Sequence, residues 1–216
     1  LIGKASDNSG IQFKVLNKTR GAAVQGPRAQ IDRNLYKKSM ISLIDNEKID
    51  ILIDEVEHIY LDSNRIDSLS LKNKGKLLCK SLIVTTGTFL SGKIYRGDES
   101  WSAGRLNSKP SISLASFFKH NFKVSRLKTG TPPRIYGNSI DFSSCEVQKG
   151  DSVPEPFSFC NEKISLTQED CFITNTNKKT HQIIEKFINL SSMYNGNIKS
   201  KGPRYCPSIE DKVKRF

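Results

Sequence analysis

No stretch of this chain is apolar for the ~18 residues a membrane-spanning helix requires, and Leu1-Ile-Gly-Lys4 lacks the apolar run of a signal peptide. A soluble protein without a membrane role is expected. Cysteine is sparse: Cys79, Cys145, Cys160, Cys171 and Cys206 are an odd set with no CxxC pair, which argues against a disulfide framework and a zinc ribbon. His58, His120 and His181 are scattered, so they fit solvated or core-edge roles better than metal ligation, and no metal is expected. Acidic residues are in deficit, 22 against 34 Lys and Arg, giving a net charge of +12. Such an excess favours a polyanionic partner, most simply a nucleic acid. AT-rich codon usage also enriches Lys and Asn, so charge alone does not decide. Hydrophobic content of 36% suffices for the core of one large domain or two modest ones. Beginning at Leu1 and stopping inside a predicted helix at Phe216, the sequence reads as a piece of a longer chain.

What is present is concentrated at the C-terminal end, in Gly202-Pro203-Arg204-Tyr205-Cys206-Pro207-Ser208-Ile209-Glu210-Asp211-Lys212-Val213-Lys214-Arg215-Phe216. Ser208 followed by Asp211 is a capping box, which predicts a helix from Ile209. Cys206 then lies beside a helix N-terminus and the cation of Arg204, both of which favour a thiolate. A structural cysteine is the alternative, and the residues alone leave both readings open.

Earlier in the chain, Ile11 to Leu16 alternates as a half-buried strand and runs into the turn Asn17-Lys-Thr-Arg-Gly21. Pro27 marks the start of a predicted helix carrying Ile31, Leu35, Met40, Leu43 and Ile44. Extended segments at 50–62 and 66–71 flank a hairpin turn at Asp62-Ser-Asn-Arg65, and Lys74-Gly-Lys76 supplies the next turn. Ser81-Leu-Ile-Val-Thr-Thr-Gly87 reads as a strand buried on both faces that delivers a ligand loop at its end. Gly87 would let backbone approach a cofactor, although a plain strand-to-turn glycine is the commoner case. Residues 91–109 read as a surface excursion around Trp101, and Pro110-Ser111 opens a short helix through Phe118. Arg126-Leu-Lys-Thr-Gly-Thr-Pro-Pro-Arg134 combines three cations, two hydroxyls and a glycine, which suits phosphate or acidic-ligand contact, with turns joined to solvated charge as the alternative. From Tyr136 to Asp170 the chain is irregular, anchored by Phe142, Phe157 and Phe159, and a helix is expected at about 181–190.

Five motifs in this order resemble the GidA/MnmG family of flavin-dependent tRNA uridine-modifying enzymes. They are Arg20-Gly-Ala-Ala-Val24 with Arg28-Ala-Gln-Ile-Asp-Arg33, Thr86-Gly87-Thr88-Phe-Leu90 with Gly92-Lys93, Arg126 to Arg134, Thr174-Asn-Thr-Asn-Lys-Lys-Thr180, and Gly202 to Phe216. Ala22 departs from the family, which usually has proline there, and this should alter the turn more than the chemistry.

The resemblance implies an α/β, FAD/NAD(P)-binding Rossmann-like two-domain fold. Residues 1–133 would be part of the FAD-binding domain and 134–216 part of an inserted NAD-binding-type domain. It also implies a homodimeric cytoplasmic enzyme, or a mitochondrial one if eukaryotic, that works with an MnmE-type GTPase. Together they would place an aminomethyl or carboxymethylaminomethyl group on carbon 5 of the tRNA wobble uridine, using FAD, NADH and methylene-tetrahydrofolate. By motif, Val56 and Ser111 match flavin-contacting positions, Gly87 and Thr88 fall in the ligand loop, and Gly202 to Phe216 matches the NAD(H) segment. Cys206 matches a proposed nucleophile toward carbon 6 of the uracil. The family's GxGxxG flavin fingerprint and its helical region for tRNA and the GTPase have no counterpart in these residues. Two rivals remain: a folate- and FAD-dependent tRNA (uracil-5-)-methyltransferase, against which the long match from Gly202 speaks, and a noncatalytic basic RNA-binding module, supported by charge alone.

Overall fold

Antiparallel pairing builds every sheet among the described residues. The computed structural model describes residues 1–130, 132, 134–200, 202 and 208–215, the side chain of Arg215 excepted. In chain order the elements are α1 (Ile2–Asp7), β1 (Gly10–Leu16), β2 (Gly26–Ile31), α2 (Arg33–Asp45), β3 (Val56–Asp62), β4 (Arg65–Leu71), β5 (Gly75–Leu78), β6 (Lys93–Arg96), β7 (Glu99–Ser102), α3 (Ser113–Asn121), β8 (Glu146–Gln148), β9 (Cys171–Ile173), α4 (Lys178–Phe187) and α5 (Ile209–Arg215). They fall into two compact units, Leu1–Ile51 with Arg134–Asn175, and Leu52–Pro133 with Thr176–Phe216.

In the first unit β1 pairs with β2 and β8 with β9. The strand expected at Ile11 to Leu16 forms, with Phe13 buried and a register shift between Gly10 and Gln12. Pro27 does not start a helix. It lies in β2 opposite Val15, and α2 begins at Arg33 because the Asp32 carboxylate accepts from the N–H groups of Asn34 and Leu35, both at 2.8 Å. Gln12, 1% exposed, ties β1 to the returning chain: its Nε2 donates to the carbonyls of Gln148 (2.9 Å) and Glu169 (3.2 Å), and its Oε1 accepts from Arg28. Asp151 accepts from Lys18 and from Val15 N–H, and those two contacts, the Lys18 one foremost, hold its carboxyl below the usual carboxylate range. Phe157 stacks near Phe13 and Phe142 near Phe172, whereas Phe159 is fully exposed and anchors nothing.

Asp7 is 4% exposed and accepts from Phe157 N–H (2.7 Å), Ser158 N–H (3.0 Å) and Asn161 Nδ2 (2.8 Å). Asp7→Ala leaves these donors without an acceptor, a loss of about 3 kcal/mol. Amide exchange at Phe157 and Ser158 in the full-length protein is expected to quicken about a hundredfold. Unchanged protection there would show that other contacts hold the segment.

The second unit is organised by the β3-β4-β5 sheet, on which α3 packs. Ser63 (φ 48°) and Asn64 (φ 65°) form the expected two-residue hairpin turn, with both central residues left-handed as the right-handed strand twist requires. Gly75 (φ 76°) serves the next turn, and the Asp54 carboxylate accepts from the N–H groups of Asn73 and Lys74. Ile59, Leu69 and Leu114 are the buried centre, each contributing roughly 1.5–3 kcal/mol, with Val56, Cys79, Leu82, Leu90 and Phe117 packed around them.

Residues 81–87 form no strand, contrary to the expectation from their apolar run, and Ile83 is 87% exposed. A strand forms by backbone pairing with a neighbour and is buried on both faces only when layers pack over each, and among the described residues no strand pairs with this run. The 91–109 excursion is more ordered than expected, because β6 and β7 form a hairpin turning at Gly97 (φ 59°). The short helix after Pro110 starts at Ser113 and runs to Asn121 as α3. No described helix is long and apolar enough to cross a membrane.

Candidate functional site

The loop from Thr86 to Gly92 is two successive tight turns, closed by Phe89 N–H on the Thr86 carbonyl and Gly92 N–H on the Phe89 carbonyl, both at 3.2 Å. Ser111 joins it from the start of the α3 connection: Ser111 N–H donates to the Phe89 carbonyl (2.8 Å) and Ser91 N–H donates to the Ser111 carbonyl (2.9 Å). The Thr88 hydroxyl donates to the Gly104 carbonyl at 2.6 Å, and Ala103 N–H to that of Gly92 at 3.0 Å. Three of the expected positions, Gly87, Thr88 and Ser111, therefore meet in one loop cluster. Val56, in register with Leu71, packs with Leu90 on the core beneath it.

Gly87 has φ 57°, and a Cβ built there would have nothing within 4 Å. The backbone at this corner is open to close approach by a ligand. Gly92 and Gly104 serve the opposite purpose. A Cβ on Gly92 would collide with the Ala103 and Thr88 carbonyls, and one on Gly104 with the Phe89 ring. Arg126 donates to the Ser91 carbonyl at 3.0 Å, so this cation helps hold the loop. Lys128 lies in the same unit, and Arg134 opens the returning stretch of the other.

The helix expected from Ile209 is present as α5, and its capping box is closed: Asp211 N–H donates to Ser208 Oγ (3.2 Å) and Ser208 N–H to Asp211 Oδ2 (3.3 Å). Tyr194, 17 residues before Asp211, donates its phenol to Asp211 Oδ1 at 2.7 Å and lies 3.3 Å from Ser208 Oγ. Burial, reinforced by the Asp211 and Glu210 carboxylates and partly opposed by Ser208, holds the Tyr194 phenol above its usual value, so it remains a proton donor. Lys214 Nζ sits 4.8 Å from the centre of the Tyr194 ring. Ile209, Lys212 and Lys214 are exposed, Glu210 and Val213 half-buried, and Gly202 exposed. Cys206 lies outside the described residues, as do Pro203, Arg204, Tyr205, Pro207 and Phe216. No group of three or more His, Cys, Asp or Glu able to hold a metal ion occurs among the described residues. Sequence reasoning missed Tyr194, Gly92 and Gly104 as determinants of these sites. Gly92 stood inside a quoted motif, but no local pattern links Tyr194 to Asp211.

The chain is thus an α/β protein in which a glycine-threonine loop is tied to Ser111 and a capped helix starts at Ile209. The family model Glucose inhibited division protein A matches residues 1–216, and the chain belongs to that family. It is 45% identical over 219 aligned positions to the tRNA uridine 5-carboxymethylaminomethyl modification enzymes MnmG of Borreliella burgdorferi strains ZS7 and ATCC 35210. The alignment covers 100% of this chain and 35% of each relative. Among solved structures, Aquifex aeolicus GidA in its form I crystal matches with a TM-score of 0.88 at 42% identity, covering 100% of this chain and 37% of that one. The form II crystal matches with a TM-score of 0.85 at 40% identity, covering 100% and 35%. The α/β fold expected from the motifs is the fold of this chain.

Proposed function

We propose that the full-length protein is an FAD-dependent enzyme that modifies carbon 5 of the wobble uridine of tRNA, the reaction for which the Borreliella relatives are named. The observation that carries this reading is the cluster of Gly87, Thr88 and Ser111 in one tied loop, within a chain 45% identical to those relatives along its whole length. The open side of Gly87 fits close backbone approach by a flavin, with Ser111 and Val56 contributing the neighbouring contacts. FAD would supply the redox chemistry, with NADH as reductant and methylene-tetrahydrofolate as one-carbon donor. In this reading residues 1–133 belong to a flavin domain and 134–216 to an NAD-binding-type domain, with Gly202 to Phe216 facing NAD(H).

The chain's own chemical contribution is Cys206. A thiolate adding to carbon 6 of the uracil gives carbon 5 enolate character, so that it captures an electrophilic one-carbon unit; loss of the carbon 5 proton then expels the thiolate. An MnmE-type GTPase partner, a homodimer and a cytoplasmic location accompany the proposal. The net charge of +12 suits the tRNA polyanion.

The full-length protein is expected to purify yellow with one FAD per chain and to restore the modified nucleoside, detected by mass analysis, in tRNA lacking it. A plain 5-methyluridine product would favour the methyltransferase alternative, and a colourless protein that binds tRNA the noncatalytic one. The 216 residues contain no GxGxxG turn, so this segment alone is expected to hold far less than one FAD, since the cofactor's pyrophosphate needs such a turn and its helix N-terminus.

A further inference from the structure

The net charge of +12 is not spread over the chain. The first unit holds 12 Lys and Arg against 12 Asp and Glu, a balance of zero, whereas the second holds 22 against 10, the whole excess of 12. Codon usage that favours Lys would enrich both units, so it does not account for a surplus confined to one. Charge complementarity directs a polyanionic partner to the second unit.

Within that unit, residues 89–105 hold cations against aromatic rings at three places: Arg105 over Phe89, Lys93 over Tyr95 and Arg96 over Trp101, at 6.0, 5.1 and 5.5 Å from the ring centres. The β6–β7 pairing sorts the last two onto opposite faces. Lys93 pairs with Ser102 and Tyr95 with Ser100, so these four side chains share one face, while Ile94, Arg96, Glu99 and Trp101 share the other. On that other face Glu99 neutralises Arg96 at 2.6 Å. The Lys93 face carries no carboxylate, and no ion pair among the described residues engages Lys93. Lys93, Ser100 and Ser102 are exposed and Tyr95 is half-buried. A lone two-stranded hairpin is marginal in water, but this one is pinned at both ends. Ala103 N–H donates to the Gly92 carbonyl at its base (3.0 Å), and the buried Ser192 hydroxyl donates to the Gly97 carbonyl at its tip. The face is therefore in place before any partner arrives.

We propose that the hairpin face carrying Lys93, Tyr95, Ser100 and Ser102 receives the anticodon loop of tRNA, with a base stacked on Tyr95 and a neighbouring phosphate on Lys93. The inference rests on the reading of the protein as a tRNA-modifying enzyme. Single-stranded RNA loops are held by stacking their bases on aromatic rings while cations take the backbone, and this face offers one of each beside two hydroxyls. Its base adjoins the Thr86 to Gly92 loop, so the bound RNA would lie next to the proposed flavin contacts.

The test is binding of an unmodified tRNA transcript with a wobble uridine to the full-length, FAD-loaded protein over a series of salt concentrations. Lys93→Gln is expected to make the slope of log affinity against log salt shallower by about 0.7 to 0.9, the loss of one phosphate contact. Tyr95→Leu should weaken binding about tenfold and leave the slope unchanged, because stacking releases no counterions, and Tyr95→Phe should bind within about twofold of the unaltered protein. Lys37→Gln with Lys38→Gln, two exposed cations of α2 in the neutral first unit, should change neither affinity nor slope. FAD content should be the same in every variant. Unaltered tRNA binding in both Lys93→Gln and Tyr95→Leu would leave the face to a protein partner or to none and overturn the proposal. So would an equal loss in the α2 variant, or a loss in the hairpin variants that tracks loss of FAD. If the unaltered protein binds no tRNA at all, the tRNA reading fails and this inference falls with it, an outcome distinct from tRNA binding that the hairpin variants leave intact.

Discussion

Cys206→Ser in the full-length protein is expected to abolish uridine modification, lowering the rate about a thousandfold or more, while FAD content and thermal stability stay unchanged. Serine keeps the size of the side chain but replaces a thiolate-forming group by a hydroxyl that is almost wholly protonated at neutral pH, and loss of a nucleophile typically costs several powers of ten. The helix that begins at Ile209 is in place, and its N-terminal end lies three residues beyond Cys206 in sequence. Together with Arg204 it should favour the thiolate, and the cysteine is expected to titrate below the ~8.5 of a free thiol. Complete sealing in an apolar pocket would push the other way, but the proposed attack on tRNA requires a thiol that the substrate can reach. Modification is measured by mass analysis of the nucleoside and reactivity by the pH dependence of iodoacetamide labelling at Cys206. Near-normal modification by the serine variant, with labelling no faster than a model thiol, would make Cys206 a structural residue.

Gly92→Ala is the second large effect expected. A methyl group there has backbone carbonyls on two sides, those of Thr88 and Ala103, and backbone cannot swing away as the tip of a flexible side chain can. The Ala103 N–H to Gly92 carbonyl bond and the Thr88 to Gly104 bond both span this contact, so relieving the clash parts the loop from the chain at 103–104. The cost is about 3 kcal/mol or more. In the full-length protein the bound FAD per chain should fall to a small fraction, read from flavin absorbance after gel filtration, with a lower unfolding temperature. Gly87→Ala is a useful contrast. Its φ of 57° strains any residue with a Cβ by about 1 kcal/mol, but no atom lies in the way, so stability should fall by only about that much, well short of the Gly92→Ala loss, while an added methyl faces the proposed ligand. Retention of FAD and stability in Gly92→Ala would show that the loop is not tied as described.

Much of the local structure was legible in the residues. The 62–65 hairpin follows from Ser63 and Asn64 between alternating segments, and α5 follows from the Ser208 and Asp211 box. The failures have one cause. Pro27 looked like a helix start because the apolar spacing after it suits a helix, but pairing with β1 claims residues 26–31 first. The run at 81–87 looked like a doubly buried strand, yet burial on two faces is a property of neighbours, and a run of apolar residues cannot supply them.

The sequence by itself determined the motifs, their order and hence the family, along with the turns and caps whose causes lie within four or five residues. Only the tertiary structure decided what meets across distance. Gln12 pairs with Gln148 and Glu169, Gly92 must be bare because Ala103 returns against it, and Tyr194 reaches Asp211. Turn and cap preferences are set by backbone geometry that each residue carries with it, whereas these contacts depend on how the chain folds back, which no short window of residues contains.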